Sequence, residues 1–256
     1  MSGRLKGLGI VLTRPQAAAD ALAAPLQSEG ARVFLFPALG IEPIAMTPGL
    51  ESIVGRIGEF DLAVFVSANA VEHGLAAVRA VGAWPQDLEA AGVGEATAEA
   101  LRNSGVARVI SPAERHDSEG LLALPRLQSV KGQNVVVFRG EGGREMIRET
   151  LAARGARVEY AECYRRVKPS ADAKPLLAAW RRGEVHAVSA LSAETLRNFV
   201  AMLGSEGAAL AASATLVVPH PAIAAGTDAR RFARVEIAGH GASALIEALS
   251  RIRVTS

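Results

Sequence analysis

Short, solidly apolar runs alternate along this chain with stretches whose apolar residues return every three or four positions, a pattern that predicts strands each followed by a helix. Residues 8–13 read as a buried strand. Pro15 suits a first helical turn, where its missing N–H is no loss, and Leu22, Leu26 and the stop at Gly30 complete that helix. Residues 62–66 form another strand, with Ser67 placed to cap the helix after it. Further strands are predicted at 91–93, 107–110 and 134–138, near Ala187, and at 216–218 and 235–237. Helices are predicted from Gly94-Glu95-Ala96-Thr97 to near Gly105, from Asp117-Ser118-Glu119 to Leu127, and from Met146 to Arg154. Alternation of this kind predicts parallel sheets covered by helices. Residues 33–44 break the rule, being extended, interrupted by Pro37 and Pro43, and without helical period. Residues 158–167, before Pro169, have the same character, and both read as strands connecting two bodies.

The pattern also repeats. Arg139 lies 125 residues after Arg14, and that shift superposes Ile10-Val11-Leu12 on Val135-Val136-Val137. It carries Gly30-Ala31-Arg32-Val33 onto Gly155-Ala156-Arg157-Val158 unchanged, and Ser67 onto Ser192. A period this long is the size of a domain, so it predicts two similar α/β lobes with a cleft between them. Ligands of open α/β sheets bind beyond the carboxyl ends of the strands. Those ends carry Thr13-Arg14, Ser67, Thr97, Ser111, Arg139-Gly140, Ser192 and His220. Small hydroxyls, glycines and arginines dominate, while His, Asp and Glu are scarce.

Charge narrows the partners. The formal charge is only +2 and the arginines are scattered, so no nucleic-acid surface is expected, while an anionic small ligand stays open. Cys163 is the single cysteine, which excludes an internal disulfide and a zinc cage of thiolates. The histidines, His73, His116, His186, His220 and His240, never fall at metal-ligand spacing, and no metal is expected. No apolar run approaches the roughly 18 residues that span a bilayer. The strand-like run directly after Met1-Ser2-Gly3-Arg4-Leu5-Lys6 is unlike a signal-peptide core, and a cytoplasmic protein is expected.

Individual motifs carry two readings each. The turn Arg139-Gly140-Glu141-Gly142-Gly143-Arg144 suits an anion at a helix N-terminus, or is simply a turn that needs glycine; it lacks the Gly-Lys-Ser/Thr ending of a triphosphate loop. Ser67, Thr97, Ser118, Ser192 and Ser243 all stand where caps belong. Ser118 and Ser243 read as caps alone, while Ser67, Thr97 and Ser192 serve either as caps or as ligand contacts. No Gly-x-Ser-x-Gly elbow surrounds them. His220, between Pro219 and Pro221, takes a cleft position, and Cys163 reads as buried and inert. Tyr164 is either a packed aromatic or a phenol directed into the cleft.

Taken in order, these motifs resemble the uroporphyrinogen-III synthase family over essentially the whole chain. The resemblance rests on Val11-Leu12-Thr13-Arg14-Pro15, Val64-Phe65-Val66-Ser67-Ala68-Asn69-Ala70-Val71, Val93-Gly94-Glu95-Ala96-Thr97-Ala98 and Ser118-Glu119-Gly120-Leu121-Leu122. It continues through Phe138-Arg139-Gly140-Glu141-Gly142-Gly143-Arg144-Glu145, Tyr164-Arg165-Arg166 and Val218-Pro219-His220-Pro221. Val66 stands where the family often has threonine. The resemblance implies two α/β lobes, each a parallel sheet flanked by helices, joined by a two-stranded antiparallel linker. On that plan residues 1–32 with 170–256 form one lobe, 33–46 and 158–169 the linker strands, and 47–157 the other lobe.

The same resemblance implies a hydro-lyase of porphyrin and heme biosynthesis that closes hydroxymethylbilane, a linear tetrapyrrole polycarboxylate, to uroporphyrinogen III. Water is lost and ring D is inverted through a spiro intermediate. No metal or organic cofactor is implied, and the enzyme is expected as a monomer. Tyr164 matches the family tyrosine that assists departure of the hydroxyl as a proton donor. Ser67, Thr97 and Ser192 match cleft hydroxyls, and Arg14, Arg139-Gly140 and His220 stand where substrate is received. The substrate expels its own hydroxyl readily and closes unaided to the wrong isomer, so a protein must chiefly supply geometry. Two other functions compete: a two-lobed binding protein without catalysis, and a glycosyltransferase-like enzyme using a nucleotide sugar.

Overall fold

The structure is a computed structural model describing residues 3–143, 145–226, 228–239 and 241–252. In chain order the elements are β1 (Gly9–Leu12), α1 (Gln16–Ser28), β2 (Arg32–Leu35), β3 (Gly40–Pro43) and α2 (Pro48–Gly55). There follow β4 (Leu62–Phe65), α3 (Ala68–Val81), β5 (Glu89–Gly92), α4 (Glu95–Asn103) and β6 (Val109–Ile110). Next come α5 (Ser118–Ala123), α6 (Pro125–Gln128), β7 (Asn134–Gly140), α7 (Met146–Ala153) and β8 (Arg157–Val167). The chain finishes with α8 (Lys174–Arg181), β9 (Ala187–Ser189), α9 (Ala193–Leu210), β10 (Thr215–Val218), α10 (Pro221–Ala224), β11 (Arg234–Ile237) and α11 (Ala242–Ser250).

The chain divides into two compact units, Met1–Gly40 with Val167–Ser256, and Ile41–Arg166. The first holds a five-stranded sheet of order β11-β10-β9-β1-β2, parallel at every junction. The second holds a six-stranded sheet of order β3-β8-β7-β4-β5-β6, parallel from β8 through β6. A shift of 125 residues carries β4, β5 and β6 onto β9, β10 and β11, and returns β7 and β8 to β1 and β2. The order β6-β5-β4-β7-β8 therefore matches β11-β10-β9-β1-β2 strand for strand.

Each sheet is covered on both faces, which is why the central strands β1, β4, β7 and β10 are near-continuous buried apolar runs, while the outer strands β2, β3, β8 and β11 carry charged residues. In the first unit Val11 faces Trp180 and Phe199 of α8 and α9, while Ile10 and Leu12 face Leu22 and Leu26 of α1 and Leu249 of α11. In the second, Ala63, Phe65, Val136 and Phe138 pack under α2, α3 and α4. Their sequence neighbours Leu62, Val64, Val135 and Val137 pack instead against Leu121, Leu127, Ile147 and Leu151 of α5, α6 and α7. The two-residue period of a strand sorts these side chains into two cores.

Several expectations change at the level of elements. Residues 33–44 are not one extended strand. They contain β2, in the five-stranded sheet, and β3, in the six-stranded one, separated by a segment in which Phe36 and Ala38 are buried. The helix expected to run to Leu127 breaks at Leu124, because Pro125 has no N–H to continue it and opens α6 instead. Of the five expected caps only two hold. Ser67 accepts the Ala70 N–H at 3.1 Å and Ser192 accepts that of Thr195 at 3.1 Å. Thr97 lies inside α4, whose cap is Gly94; Ser118 is the first residue of α5, capped by Asp117; and Ser243 lies inside α11, capped by Gly241. Asp117 outcompetes the serine beside it, accepting the Gly120 N–H at 2.8 Å, which holds its carboxyl below the usual range together with the Arg115 guanidinium.

One irregularity positions the site. Along β7 and β8 the register runs Val137 to Tyr160, Phe138 to Ala161 and Arg139 to Glu162, then jumps so that Gly140 faces Tyr164. The extra residue is Cys163. Without this bulge Tyr164 would share a face with Tyr160 and Glu162; with it, Tyr164 joins Ala161 and Cys163 in the core under α3.

Candidate active site

The second unit contains a cavity of about 450 Å³ at the carboxyl ends of β4 and β7, lined among others by Ser118, Arg139, Gly140, Tyr160, Tyr164 and Arg166. Tyr164 is 1% exposed. Its hydroxyl meets Ser67 Oγ at 3.1 Å, and its ring lies 5.8 Å from that of His73, centroid to centroid. Gly140 is required by this packing: a Cβ there would fall 2.6 Å from the Tyr164 ring. Two residues on, Gly142 holds φ at +69°, the left-handed conformation that lets the chain turn back toward α7.

The glycine turn brings a carboxylate of the chain itself beside Arg139. Glu145 occupies the cap position of α7, and its carboxylate accepts from Arg139 at 2.9 Å. Arg139 is 3% exposed, reaches Glu162 at 3.9 Å, donates to the Gly140 carbonyl, and lies over the Tyr160 ring at 4.3 Å. A buried guanidinium needs such partners. Arg139, expected as a receiver of substrate carboxylates, is thus already paired with carboxylates of the chain itself. Burial raises the pKa of the Tyr160 phenol beside it, and Glu145 adds to that rise. Arg144, part of the same motif, and His240 lie outside the described residues.

The first unit has a smaller cavity, about 150 Å³, lined by Arg14, Ser189, Leu191, Pro219, Gly239 and Gly241 among others. Partial burial pulls the Arg14 guanidinium below its ordinary pKa, and no described residue bonds or pairs with it. Ser192 is occupied by its cap and by Thr195 Oγ1 at 2.9 Å, and exposed His220 caps α10 through Nδ1. The expected residues therefore fall in two sets. Ser67, Thr97, Arg139, Gly140 and Tyr164 belong to the second unit, with Thr97 6% exposed and not among the residues lining its cavity; Arg14, Ser192 and His220 belong to the first.

The family model for uroporphyrinogen-III synthase HemD matches residues 20–247. The chain belongs to the uroporphyrinogen-III synthase family. It is 32% identical over 197 residues to the uroporphyrinogen-III synthase of Escherichia coli K12, covering 77% of this chain and 80% of the relative. It is 33% identical over 191 residues to that of Salmonella typhimurium LT2, covering 74% and 78%. Among solved structures, uroporphyrinogen-III synthetase from Helicobacter pylori superposes with a TM-score of 0.59 at 13% identity, covering 94% of this chain and 97% of the other. A mutant uroporphyrinogen III synthase from Thermus thermophilus gives 0.57 at 18%, covering 93% and 96%. At these identities the structures show a shared α/β fold.

Members of the uroporphyrinogen-III synthase family are enzymes of tetrapyrrole and heme biosynthesis, hydro-lyases by class. Within this member, sequence reasoning passed over Tyr160 and Arg166, both of which line the larger cavity. Arg166 was legible only as part of Tyr164-Arg165-Arg166, and Tyr160 gave no signal, since its parity along β8 differs from that of its core neighbours.

Cys163, the bulged residue, is buried. Burial pushes its thiol from near 9 up to about 12, and its Sγ lies 3.5 Å from the Arg139 carbonyl oxygen. The folded state holds this proton where the unfolded chain releases it, so stability falls as pH rises from about 9 toward 12. At pH 8 iodoacetamide is expected to leave the folded protein unmodified and to alkylate Cys163 once urea unfolds it. Modification of the native protein at the unfolded rate would contradict the burial described.

Proposed function

We propose that this chain closes hydroxymethylbilane to uroporphyrinogen III, with Tyr164 as proton donor to the departing hydroxyl. One observation carries the reading: in a chain of this family, a buried phenol borders the larger cavity with its hydroxyl 3.1 Å from Ser67. The Tyr164 O–H bond breaks as its proton passes to the substrate hydroxyl, the C–O bond breaks to release water, and the adjoining pyrrole nitrogen feeds electrons to the exposed carbon. The resulting azafulvenium is attacked by the substituted position of ring D, giving the spiro intermediate. The bond from the spiro carbon to the ring-C methylene then breaks, leaving a second azafulvenium on ring C, and that methylene is attacked by the free α-position of ring D, which inverts the ring and closes the macrocycle. The phenolate recovers a proton when the closed macrocycle regains aromaticity, so water is the sole by-product. General acid assistance of this kind contributes about 10²–10⁴ in rate.

The substrate is a polyanion, and the two sets of residues differ in what they offer it. Arg14, whose guanidinium has no partner among the described residues, receives a carboxylate, with Ser192 and His220 in the same unit as further contacts. In the second unit the rim residue Arg166 and the backbone around Gly140 serve the substrate, while Arg139 and Thr97 shape the wall. Arg14→Gln is expected to raise KM about tenfold and leave kcat within about twofold, the loss of one charge-assisted hydrogen bond. An unchanged KM would remove Arg14 from the binding set.

The two lobes and their linker belong to the same proposal. An antiparallel run of β3 against β8 is supported by falling partner numbers. Gly40 lies against Val167, Glu42 pairs with Arg165 at 3.0 Å, and the Ile44 N–H donates to the Cys163 carbonyl at 3.1 Å. We take the enzyme to act as a monomer on a small molecule, with no role for nucleic acid.

A further inference from the structure

We infer that Ser67, together with the bulge at Cys163, positions the Tyr164 phenol and acts on the reaction through it, without touching substrate. The inference rests on the reading of Tyr164 as the proton donor and reassigns Ser67, which the sequence groups with substrate contacts. A serine hydroxyl has one proton and two lone pairs. One lone pair accepts the Ala70 N–H at 3.1 Å, the cap bond that starts α3. The same oxygen stands 3.1 Å from the Tyr164 hydroxyl. When Ser67 donates there, the bonds run in one direction, from Ala70 N–H through Ser67 O–H to Tyr164 O–H, and the phenol proton remains for an acceptor in the cavity. Bonds aligned in this way strengthen one another. The N-terminus of α3, fourteen residues long, also favours the negative charge left on the phenol oxygen after proton transfer.

The remaining constraints fix the ring from other sides. The bulge rotates Tyr164 off the face of Tyr160 and onto the face that Ser67 caps. Cys163 is the residue displaced to achieve this, and its thiol lies against the Arg139 carbonyl. Gly140 leaves the space that the ring fills, its missing Cβ being 2.6 Å from the nearest ring carbon. In that arrangement the Ser67 proton goes to the phenol and one lone pair to the helix, and the lone pair that remains cannot bind a carboxylate. A substrate carboxylate would have to displace Tyr164 to gain a donor from it.

The test is a double-mutant cycle on hydroxymethylbilane turnover, with kcat and KM measured for the parent, Ser67→Ala, Tyr164→Phe and the double variant. Ser67→Ala is expected to lower kcat about tenfold with KM within about twofold, the effect of one hydrogen bond to a charged group. The double variant is expected to be no slower than Tyr164→Phe alone. Ser67→Thr, which keeps both hydroxyl and cap, is expected to restore kcat to within about threefold. If loss of the cap prevents Ser67→Ala from folding, Ser67→Gly replaces it, since glycine caps almost as well and carries no hydroxyl. A raised KM at unchanged kcat, or a further slowing in the Tyr164→Phe background, would make Ser67 a substrate contact and overturn the inference alone. A Tyr164→Phe variant turning over at the parent rate would instead overturn the proton-donor reading and this inference with it.

Discussion

Tyr164→Phe is expected to lower kcat for ring closure about a hundredfold while leaving KM and the fold close to those of the parent. Only the hydroxyl is removed. The ring, 1% exposed and fitted against Gly140, keeps its packing, so the change isolates the proton donor from the core. Hydroxymethylbilane also closes by itself to the uninverted isomer, and slower enzymatic closure lets that route compete. The variant should therefore yield more isomer I at a given protein concentration, with the far-ultraviolet circular dichroism unchanged. Parent-like rate and isomer ratio would show that the substrate's hydroxyl leaves without help from Tyr164.

Phe138→Ala is expected to destabilise the second unit by about 3–5 kcal/mol, the usual cost of a large cavity in a core that cannot collapse. Phe138 is fully buried and stacks on Phe65 across the β4 and β7 pair, with ring centroids 4.6 Å apart and planes 6° from parallel. Gly74 of α3 also lies against the ring, where a Cβ would come 2.6 Å from it. The ring thus sets the distance between α3 and the sheet, and α3 carries Ser67 at its start. Urea unfolding followed by circular dichroism should show the transition midpoint falling well below that of the parent. A change worth less than about 1 kcal/mol would mean that the cavity refills, contrary to the rigid packing described. Partial loss of activity is expected in the folded fraction, because Arg139 and Gly140 follow Phe138 directly at the end of β7.

Much of the architecture was legible because the physics behind it is local. β-branched runs such as Val135-Val136-Val137 declare strands, and the domain-length repeat declares two similar sheets even where identities are few. Ser67 and Ser192 declare helix starts, since nothing better placed competes with either for its cap. Thr97 and Ser118 misled because better caps stood nearby: Asp117 for α5, and for α4 a glycine with no side chain at all. The site was harder to read because its decisive features join residues far apart in sequence. No local pattern reveals that Arg139 spends its charge on Glu145, or that β8 slips by one residue at Cys163. That slip reverses which face Tyr164 occupies, putting it with Ala161 and Cys163 instead of Tyr160. Tyr164 stood out in the sequence as a candidate phenol and took its proposed role from the resemblance, while its bond to Ser67 joins residues 97 apart.

On the proposed function, the protein dictates which end of ring D is joined. This is tested most directly by supplying freshly prepared hydroxymethylbilane to the purified chain, oxidising the products to porphyrins, and separating the isomers chromatographically. Uroporphyrin III should dominate, and increasingly so as protein is added, over the isomer I formed in its absence. A product mixture identical to the protein-free control at every concentration would contradict the account.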